Sequence, residues 1–223
     1  MSKSLTLPEI SARLAPAAGP GAGPVRVLAV SKTKPAAAVR ALAAAGQRHF
    51  GENYVQEGLA KIRELADLGL TWHLIGPLQS NKCREVAEHF DWLESLDRPK
   101  LVPLLAKFRP DGAAPLNVLV QVNIDDEGSK SGCRPEEAAG LCALVAAEPR
   151  LALRGLMAIP APAEDLAARR AAFRRMKALF DTLRAQHGDM DTLSMGMSDD
   201  FELAAAEGAT EVRIGSALFG ART

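Results

Sequence analysis

The amino-acid sequence predicts one (β/α)8 barrel, an α/β fold in which eight parallel strands each lead into a helix. From Val25 onward, short apolar runs typical of buried strands alternate with helical patterns, and eight such units can be counted. The 223 residues are a length that an α/β barrel uses as a single domain. No G-x-G-x-x-G motif is present, which argues against an open doubly wound sheet.

The N-terminal part of the chain precedes this alternation. A weak helical pattern through Ile10 and Leu14 gives way to a run of alanine, glycine and proline over residues 16–24, which predicts a loop. We therefore expect a partly flexible N-terminal segment over residues 1–24 and a barrel domain over residues 25–223.

Strand and helix signals then follow one another through the first half of the barrel. Pro35 suits the first position of a helix, where its missing N–H costs nothing, and Ser80 suits an N-cap. Gly46 and Gly69 suit helix ends. The predicted strands are Val25–Ser31, His49–Asn53, Thr71–Gly76 and Trp92–Asp97, and the predicted helices are Ala36–Ala45, Val55–Leu68, Asn81–His89 and Pro99–Lys107.

The second half repeats the same alternation, with Gly208 closing the last long helix before the final strand. The predicted strands are Asn117–Asn123, Leu153–Ile159, Thr192–Gly196 and Glu211–Ser216, and the predicted helices are Pro135–Ala147, Leu166–Gln186, Asp199–Ala206 and a short one after Ser216.

The amino-acid composition indicates which class of binding partner to expect. Lysine plus arginine equals aspartate plus glutamate at 27 each, so no net field attracts nucleic acid or an anionic membrane, and a small molecule is the expected partner. The three cysteines have neither C-x-x-C nor zinc-site spacing, which predicts reduced thiols and no metal site. No signal peptide or membrane span is evident, so we expect a cytoplasmic protein.

Lys32 stands where the apolar run of the first strand ends and Pro35 begins a helix. In a barrel, the chemistry lies at the carboxyl ends of the strands. A lysine at such a junction is either a solvated surface charge or a Schiff-base lysine, whose desolvated amine attacks an aldehyde. The strand signal by itself leaves both interpretations open.

The last two strands carry the features of a phosphate site. Ser194–Ser198 and Arg213–Ser216 each combine hydroxyls and glycine with the start of a helix. Taken singly, Ser198 is explained as an N-cap and Gly215 as a tight turn. Because both lie on the last two strands, the usual phosphate position of barrels, we favour a phosphate site.

Several further positions lie at strand ends or in the loops beyond them. His73 is either a hydrogen-bonded core residue or a base, and the core interpretation is the more common one. The polar loop Gly76–Lys82 lacks phosphate-loop spacing and is interpreted as lining the barrel mouth. Lys130 is either a solvated charge or a second amine near the mouth, and Met157 lies at the end of the sixth strand.

Six segments in this order allow a comparison with known families: Val30–Pro35, Phe50–Tyr54, His73–Lys82, Gly155–Ile159, Ser194–Asp199 and Val212–Arg222. They closely resemble the YggS/PROSC family of pyridoxal phosphate homeostasis proteins. The resemblance covers nearly everything from Val25 onward. The usual charged N-terminal helix of the family is replaced here by the Ala/Gly/Pro segment, and a common threonine by Ser216, which keeps the hydroxyl.

The resemblance implies a barrel like the N-terminal domain of alanine racemase, of the fold type III class, holding pyridoxal 5′-phosphate (PLP) as a Schiff base on Lys32. The other cofactor-binding residues that it implies are Asn53 beside the cofactor, Arg213 at the pyridine nitrogen, and Ser198, Gly215 and Ser216 at the phosphate. His73, Met157 and Lys130 are possible secondary positions.

We expect a non-catalytic carrier that buffers or delivers PLP, with apo PLP enzymes as possible recipients, and a monomer. Racemisation needs proton donors on both faces of the cofactor, and an arginine at the pyridine nitrogen weakens the electron sink. The sequence ends seven residues after Ser216, which we interpret as a mouth without a second domain. The alternatives are a weak amino-acid racemase and a cofactor-free Schiff-base aldolase using Lys32.

Overall fold

The protein is a closed barrel of eight parallel strands, as the alternation of strand and helix signals predicted. A computed structural model describes residues 5–18, 23–125, 131–160 and 165–220. The strands follow one another around the barrel in sequence order, and the eighth pairs with the first. The predicted fold class is therefore confirmed.

The strands are short and almost wholly buried, which is typical of a parallel sheet covered by helices. Their bounds are β1 Arg26–Val30, β2 His49–Glu52, β3 Thr71–Leu74, β4 Trp92–Leu96, β5 Leu116–Val122, β6 Leu151–Ala158, β7 Thr192–Met197 and β8 Glu211–Ile214.

Helices surround this barrel, and one precedes it. Their bounds are α1 Leu7–Ala17, α2 Ala36–Ala44, α3 Val55–Glu64, α4 Cys83–His89, α5 Leu101–Phe108, α6 Ala138–Ala146, α7 Leu166–Arg184, α8 Phe201–Ala206 and α9 Ser216–Phe219. Among the described residues, no helix is both long enough and apolar enough to span a bilayer.

The predicted helix boundaries needed two small corrections. Pro35 is the N-cap of α2 and not its first residue, since its backbone is extended, with ψ at 156°. Ser80 begins a 3-10 turn that leads into α4, and its side chain does not cap the helix. Gly69 ends the segment after α3 in the left-handed conformation, as a helix-ending glycine commonly does.

The N-terminal helix packs onto the barrel. Thr6 and Glu9 form a capping box at the start of α1, and its apolar face buries Ile10 and Leu14 against the core. α1 lies against α8, where Arg13 pairs with Glu202. The helix extends to Ala17, one residue past the first proline of the predicted loop, and residues 19–22 of that loop lie outside the described residues.

Gly155 lies at a close backbone approach between two strands. The register of β5 and β6 shifts so that Val118 pairs with Leu153 but Leu119 pairs with Gly155, which leaves Arg154 as an extra residue. At Gly155 the φ angle is 147°, and a Cβ atom would lie 1.8 Å from the carbonyl oxygen of Thr192 on β7. Only glycine fits between these strands.

We predict that Gly155→Ala destabilises the protein by ~2–4 kcal/mol, because the added carbon meets backbone and not a movable side chain. The matched control is Gly140→Ala in α6, where an added Cβ meets nothing within 4 Å. There alanine has the higher helix propensity and should stabilise by up to ~1 kcal/mol. Urea unfolding gives the change in the free energy of unfolding for each variant. Two changes of the same sign would contradict the close approach assigned to Gly155.

Candidate functional site

A cavity of about 400 Å³ opens at the carboxyl ends of the strands, where the βα loops meet. Its size is that of a site for a small organic molecule. Its walls come from both ends of the barrel sequence, and the lining residues are Val30, Lys32, Thr33, Lys34, Asn53, Ile75, Ile159, Met197, Ser198, Asp199, Arg213, Gly215, Ser216 and Gly220.

All six principal residues that the sequence suggested line this one cavity: Lys32, Asn53, Ser198, Arg213, Gly215 and Ser216. They lie far apart in sequence and meet because β8 closes the barrel against β1. The structure thus brings the group together, while the role of each residue in holding a ligand stays a prediction.

The charged groups in the wall favour an anionic ligand. Lys32, Lys34 and Arg213 contribute three cationic groups, and Asp199 contributes one carboxylate. The Lys34 ammonium donates to the carbonyl oxygens of Phe219 and Gly220, at 3.3 and 3.5 Å, which anchors it to the end of α9. A concave site with this excess of positive charge attracts a negatively charged small molecule.

Ser198 joins the loops that follow β7 and β8. Its hydroxyl oxygen accepts the backbone N–H groups of Gly215 and Ala217, both at 3.3 Å. The hydroxyl hydrogen is not used in these two bonds and can be donated to a ligand. The N-cap role considered for Ser198 is wrong, because Asp200 is the N-cap residue of α8.

Arg213 lies beneath the cavity in the barrel interior. Its guanidinium donates to the hydroxyl of Ser194 and to the carbonyl of Ala158, both at 2.8 Å. Burial lowers the pKa of this guanidinium from its ordinary value, while the nearby carboxylates of Glu94 and Glu211 oppose that shift. Two fixed acceptors therefore set the direction of the remaining donors.

Asn53 is held in place by a close backbone approach from the next loop. A Cβ atom at Gly76 would lie 2.1 Å from the carbonyl oxygen of Asn53, so glycine is required there. The loop Gly76–Lys82, predicted to line the mouth, contributes no residue to the cavity wall within the described part of the chain; Ile75 just before it does. Gly76 of that loop instead packs against the backbone of Asn53.

His73 is a buried core residue and does not line the cavity. Its Nδ1 lies 2.7 Å from Oε1 of Glu94, its Nε2 lies 3.0 Å from Nδ1 of His49, and its ring stacks on Trp92 at 5.0 Å between centroids. Burial lowers the pKa of His73 to about 4 and that of His49 to about 4. The interpretation as a hydrogen-bonded core residue fits this geometry.

Of the other two secondary positions, only Met157 belongs to the described residues, and it does not line the cavity. Met157 is fully buried and packs with Trp92 and Leu119 inside the barrel. Lys130 lies outside the described residues. Neither observation assigns these two residues a contact with a ligand.

Among the described residues, one group of potential metal ligands lies in the barrel interior, although the cysteine spacing predicted none. Ligand atoms of His73, Glu94 and Glu211 lie within 4.8 Å of one another. Burial raises the pKa of both glutamates above the ordinary value, and Arg26 donates to Glu211 at 2.6 Å. Hydrogen bonds and ion pairs inside the protein already engage all three residues.

A buried ionic network beneath Lys32 escaped the sequence reasoning. Lys61 of α3 places its ammonium within hydrogen-bond distance of the Ser31 carbonyl and of the carboxylates of Glu52 and Glu57. Glu57 also accepts the backbone N–H of Thr33. The only signal was the helical spacing of Glu57 and Lys61, which is more often a surface ion pair.

The chemistry of the wall suits a ligand with two different ends. A lysine amine at the end of β1 can attack a carbonyl carbon. At the ends of β7 and β8, the hydroxyls of Ser198 and Ser216 suit a phosphate, and the guanidinium of Arg213 can donate to a ring nitrogen. A phosphorylated heteroaromatic aldehyde carries all three of these partners.

Comparison with known proteins gives close relatives along most of the chain. The family described as alanine racemase, N-terminal domain, matches residues 12–223. The pyridoxal phosphate homeostasis protein of Pseudomonas aeruginosa is 57% identical over 217 residues, which cover 96% of this chain and 93% of that protein. The protein of the same name from Escherichia coli is 55% identical over 201 residues, covering 89% of this chain and 86% of its own length.

Solved structures show the same similarity. PipY of Synechococcus elongatus aligns with a TM-score of 0.83 without PLP, at 41% identity, over 95% of this chain and 100% of that chain. The PLP-bound structure of PipY aligns with a TM-score of 0.80 at the same identity and coverage. Alanine racemase of Corynebacterium glutamicum aligns at 0.69 over 95% of this chain and 59% of that chain, and at 19% identity it shares the fold alone.

We predict that His49 and His73 stay neutral in the folded protein well below pH 6.5, the ordinary midpoint of an imidazole. The pKa of each is lowered to about 4, so the unfolded chain takes up these protons before the folded chain does. Their contribution to stability is complete above pH 6.5 and is lost as the pH falls towards 4.

Imidazole nitrogen shifts measured by NMR between pH 8 and 5 check this prediction, with His49→Gln and His73→Gln variants to assign the resonances. Titration midpoints near pH 6.5 for both histidines would contradict it.

Proposed function

Because this chain belongs to the pyridoxal phosphate homeostasis proteins, within the alanine racemase N-terminal domain family, we propose that it binds pyridoxal 5′-phosphate in the cavity at the barrel mouth and buffers or delivers it. The observation that carries the proposal is the convergence of Lys32, Arg213 and the β7 and β8 loop ends on one cavity. Each of the three matches one functional group of the cofactor.

The aldehyde end of the cofactor pairs with Lys32. When bound, PLP supplies an aldehyde that a lysine amine converts into a reversible covalent link. Lys32 lies two residues past the end of β1, in a turn closed by the bond from the Lys34 N–H to the Ser31 carbonyl at 3.0 Å. This position holds the lysine at the wall of the cavity by its backbone.

The phosphate end pairs with the loops after β7 and β8. Ser198 has a donor hydrogen available, and Ser216 offers a second hydroxyl from the exposed start of α9. Gly215 lines the cavity without a side chain, so the ligand can approach the backbone of this loop closely. Hydrogen bonds to a charged phosphate are stronger than those between neutral groups, so this end accounts for much of the affinity.

Arg213 favours a carrier over a catalyst. A guanidinium has donors and no acceptor, so it can only donate to the pyridine nitrogen and leaves that nitrogen unprotonated. An unprotonated ring is a poorer electron sink for carbanion chemistry. The protein therefore holds the cofactor with its catalytic power reduced.

The side chains around the cavity support the same choice. A racemase needs an acid or base on each face of the cofactor. The ammonium of Lys34 is committed to two carbonyl oxygens, and Tyr54, the only tyrosine of the sequence, is 63% exposed and absent from the described cavity wall. A non-catalytic role follows as our proposal, and turnover assays with single amino acids test it.

The physiological part of the proposal places the protein in the cytoplasm as a monomer that passes PLP to apo PLP enzymes. The delivery step is supported by the opening at the barrel mouth, where Ile159 and Met197 are each 39% exposed beside the cavity. An apolar rim of this kind offers a partner a surface next to the cofactor.

We predict that Lys32→Ala abolishes covalent attachment of PLP and leaves the apo protein folded, since the lysine side chain contributes little to the core. The matched control is Lys34→Ala, which removes a second lysine of the same cavity and should keep attachment at Lys32. Visible absorbance and mass spectrometry of borohydride-reduced protein measure both variants. Unchanged absorbance in Lys32→Ala, or label on Lys34, would show that the wrong lysine was chosen.

We predict that Ser198→Ala and Ser216→Ala each weaken PLP binding by roughly tenfold to a hundredfold. Each removes a donor to a charged phosphate, worth about 1.5–3 kcal/mol, and 1.4 kcal/mol corresponds to about tenfold in affinity. Pyridoxal, which lacks the phosphate, serves as the control ligand and should bind both variants as it binds the wild type.

Ser198→Ala should also cost about 1 kcal/mol of stability, because the two backbone N–H groups of the β8 loop lose their acceptor. Melting of the apo protein separates this loss from the loss of affinity. Wild-type affinity for PLP in both serine variants would place the phosphate elsewhere.

A further inference from the structure

We infer that Lys61 is a positioning residue: through Glu57 it holds Thr33 in a left-handed conformation and thereby sets the direction in which Lys32 leaves the barrel. The consequence for the cofactor rests on the function proposed above. The arrangement itself is a property of the protein without cofactor and can be tested there.

The turn that carries Lys32 has an unusual residue at its third position. Ser31 to Lys34 form a tight turn, closed by the bond from the Lys34 N–H to the Ser31 carbonyl at 3.0 Å. Thr33 has a φ angle of 64° and is the one non-glycine with positive φ among the described residues. Turns with a positive φ at this position prefer glycine or asparagine, and a β-branched residue is strained there.

Glu57 supplies the contact that holds the strained residue. Its Oε1 accepts the backbone N–H of Thr33 at 2.5 Å, across the gap between the β1 turn and α3. A strained backbone conformation persists only when several contacts with the surrounding structure hold it in place. The carboxylate must therefore stay in place for Thr33 to keep its left-handed backbone.

Lys61 fixes that carboxylate and the start of the turn together. Its ammonium lies 2.8 Å from Oε1 of Glu57, 2.6 Å from the carbonyl oxygen of Ser31 and 2.7 Å from Oε1 of Glu52. A lysine ammonium has three hydrogens, and these three acceptors use them all. The Ser31 carbonyl is the same one that closes the turn. Lys61 therefore contacts the residue before Lys32 directly and reaches Thr33 through Glu57.

The cost of burying this lysine argues for a role beyond packing. Lys61 is 5% exposed, and its ammonium is engaged by the turn and by two glutamates, not by solvent. Burial raises the pKa of Glu52, and its hydrogen bonds from Lys61 and Ser31 oppose that rise. An apolar side chain would fill the same space without desolvating a charge, but it would leave the turn without its donor.

The first measurement is hydrogen exchange of the apo protein over residues 31–35. Glu57→Ala removes the acceptor of the Thr33 N–H, and exchange of the Thr33 and Lys34 amides should rise by about tenfold or more. Glu64→Ala, an exposed glutamate near the end of the same helix, is the matched control and should change nothing in this turn.

The second measurement is the rate at which PLP attaches covalently to Lys32. A misplaced amine loses its near-attack geometry, so attachment should slow by about tenfold in Glu57→Ala and at least as much in Lys61→Met. Thr33→Gly removes the strain, because glycine adopts positive φ without cost. The double variant Thr33→Gly/Glu57→Ala should therefore recover most of the lost rate, which a merely structural role of Glu57 would not allow.

The outcomes separate this inference from the proposed function. Wild-type exchange in Glu57→Ala overturns the inference whether or not the protein binds PLP. Faster exchange with an unchanged attachment rate, or no rescue by Thr33→Gly, also overturns it. Absence of PLP attachment in the wild type overturns the proposed function, while the exchange data still judge the turn. If Lys61→Met does not fold, the Glu57 and Thr33 variants carry the test.

Discussion

Closure of the barrel between β1 and β8 is the constraint on which the site depends. Four consecutive residue pairs, from Arg26 with Glu211 to Ala29 with Ile214, align these strands in parallel. Their carboxyl ends therefore lie side by side, and the turn with Lys32 comes next to the loop with Gly215. Nearly two hundred residues of chain separate Lys32 from Gly215, and barrel closure brings the lysine amine next to the loop after β8.

The barrel interior below the cavity is unusually polar, and its pairing explains how that is tolerated. Glu94 lies within hydrogen-bond distance of His73 and accepts from Ser194, and Arg213 donates to Ser194 in turn. Buried charges are expensive unless each is paired and hydrogen-bonded. The same hydrogen bonds that pair the buried charges also hold Arg213. They therefore stabilise the barrel interior and set the direction of the guanidinium at the cavity floor.

Sequence reasoning predicted the barrel, because strand and helix periods are local signals. The six principal site residues, assigned from strand ends and from the family resemblance, line one cavity, but the loop Gly76–Lys82 does not. The alternative interpretation of Ser198 as the N-cap was wrong, since Asp200 is the N-cap of α8, and this depends on loop geometry. Sequence reasoning missed the link from Lys61 to Thr33. The spacing of Glu57 and Lys61 is i, i+4, and in the sequence a buried ion pair with this spacing looks the same as a surface ion pair. Contacts across elements need the folded backbone.

In the proposed function, the networks around Lys61 and Arg213 would affect two different parts of the cofactor. The network around Lys61 acts on the backbone that carries the amine, so it influences how readily a covalent link forms. With PLP bound as proposed, Arg213, held by Ser194, would donate to an unprotonated ring nitrogen, which makes the ring a poorer electron sink. A site that favours attachment and disfavours carbanion chemistry suits reversible storage, because the link can form and be exchanged without consuming a substrate.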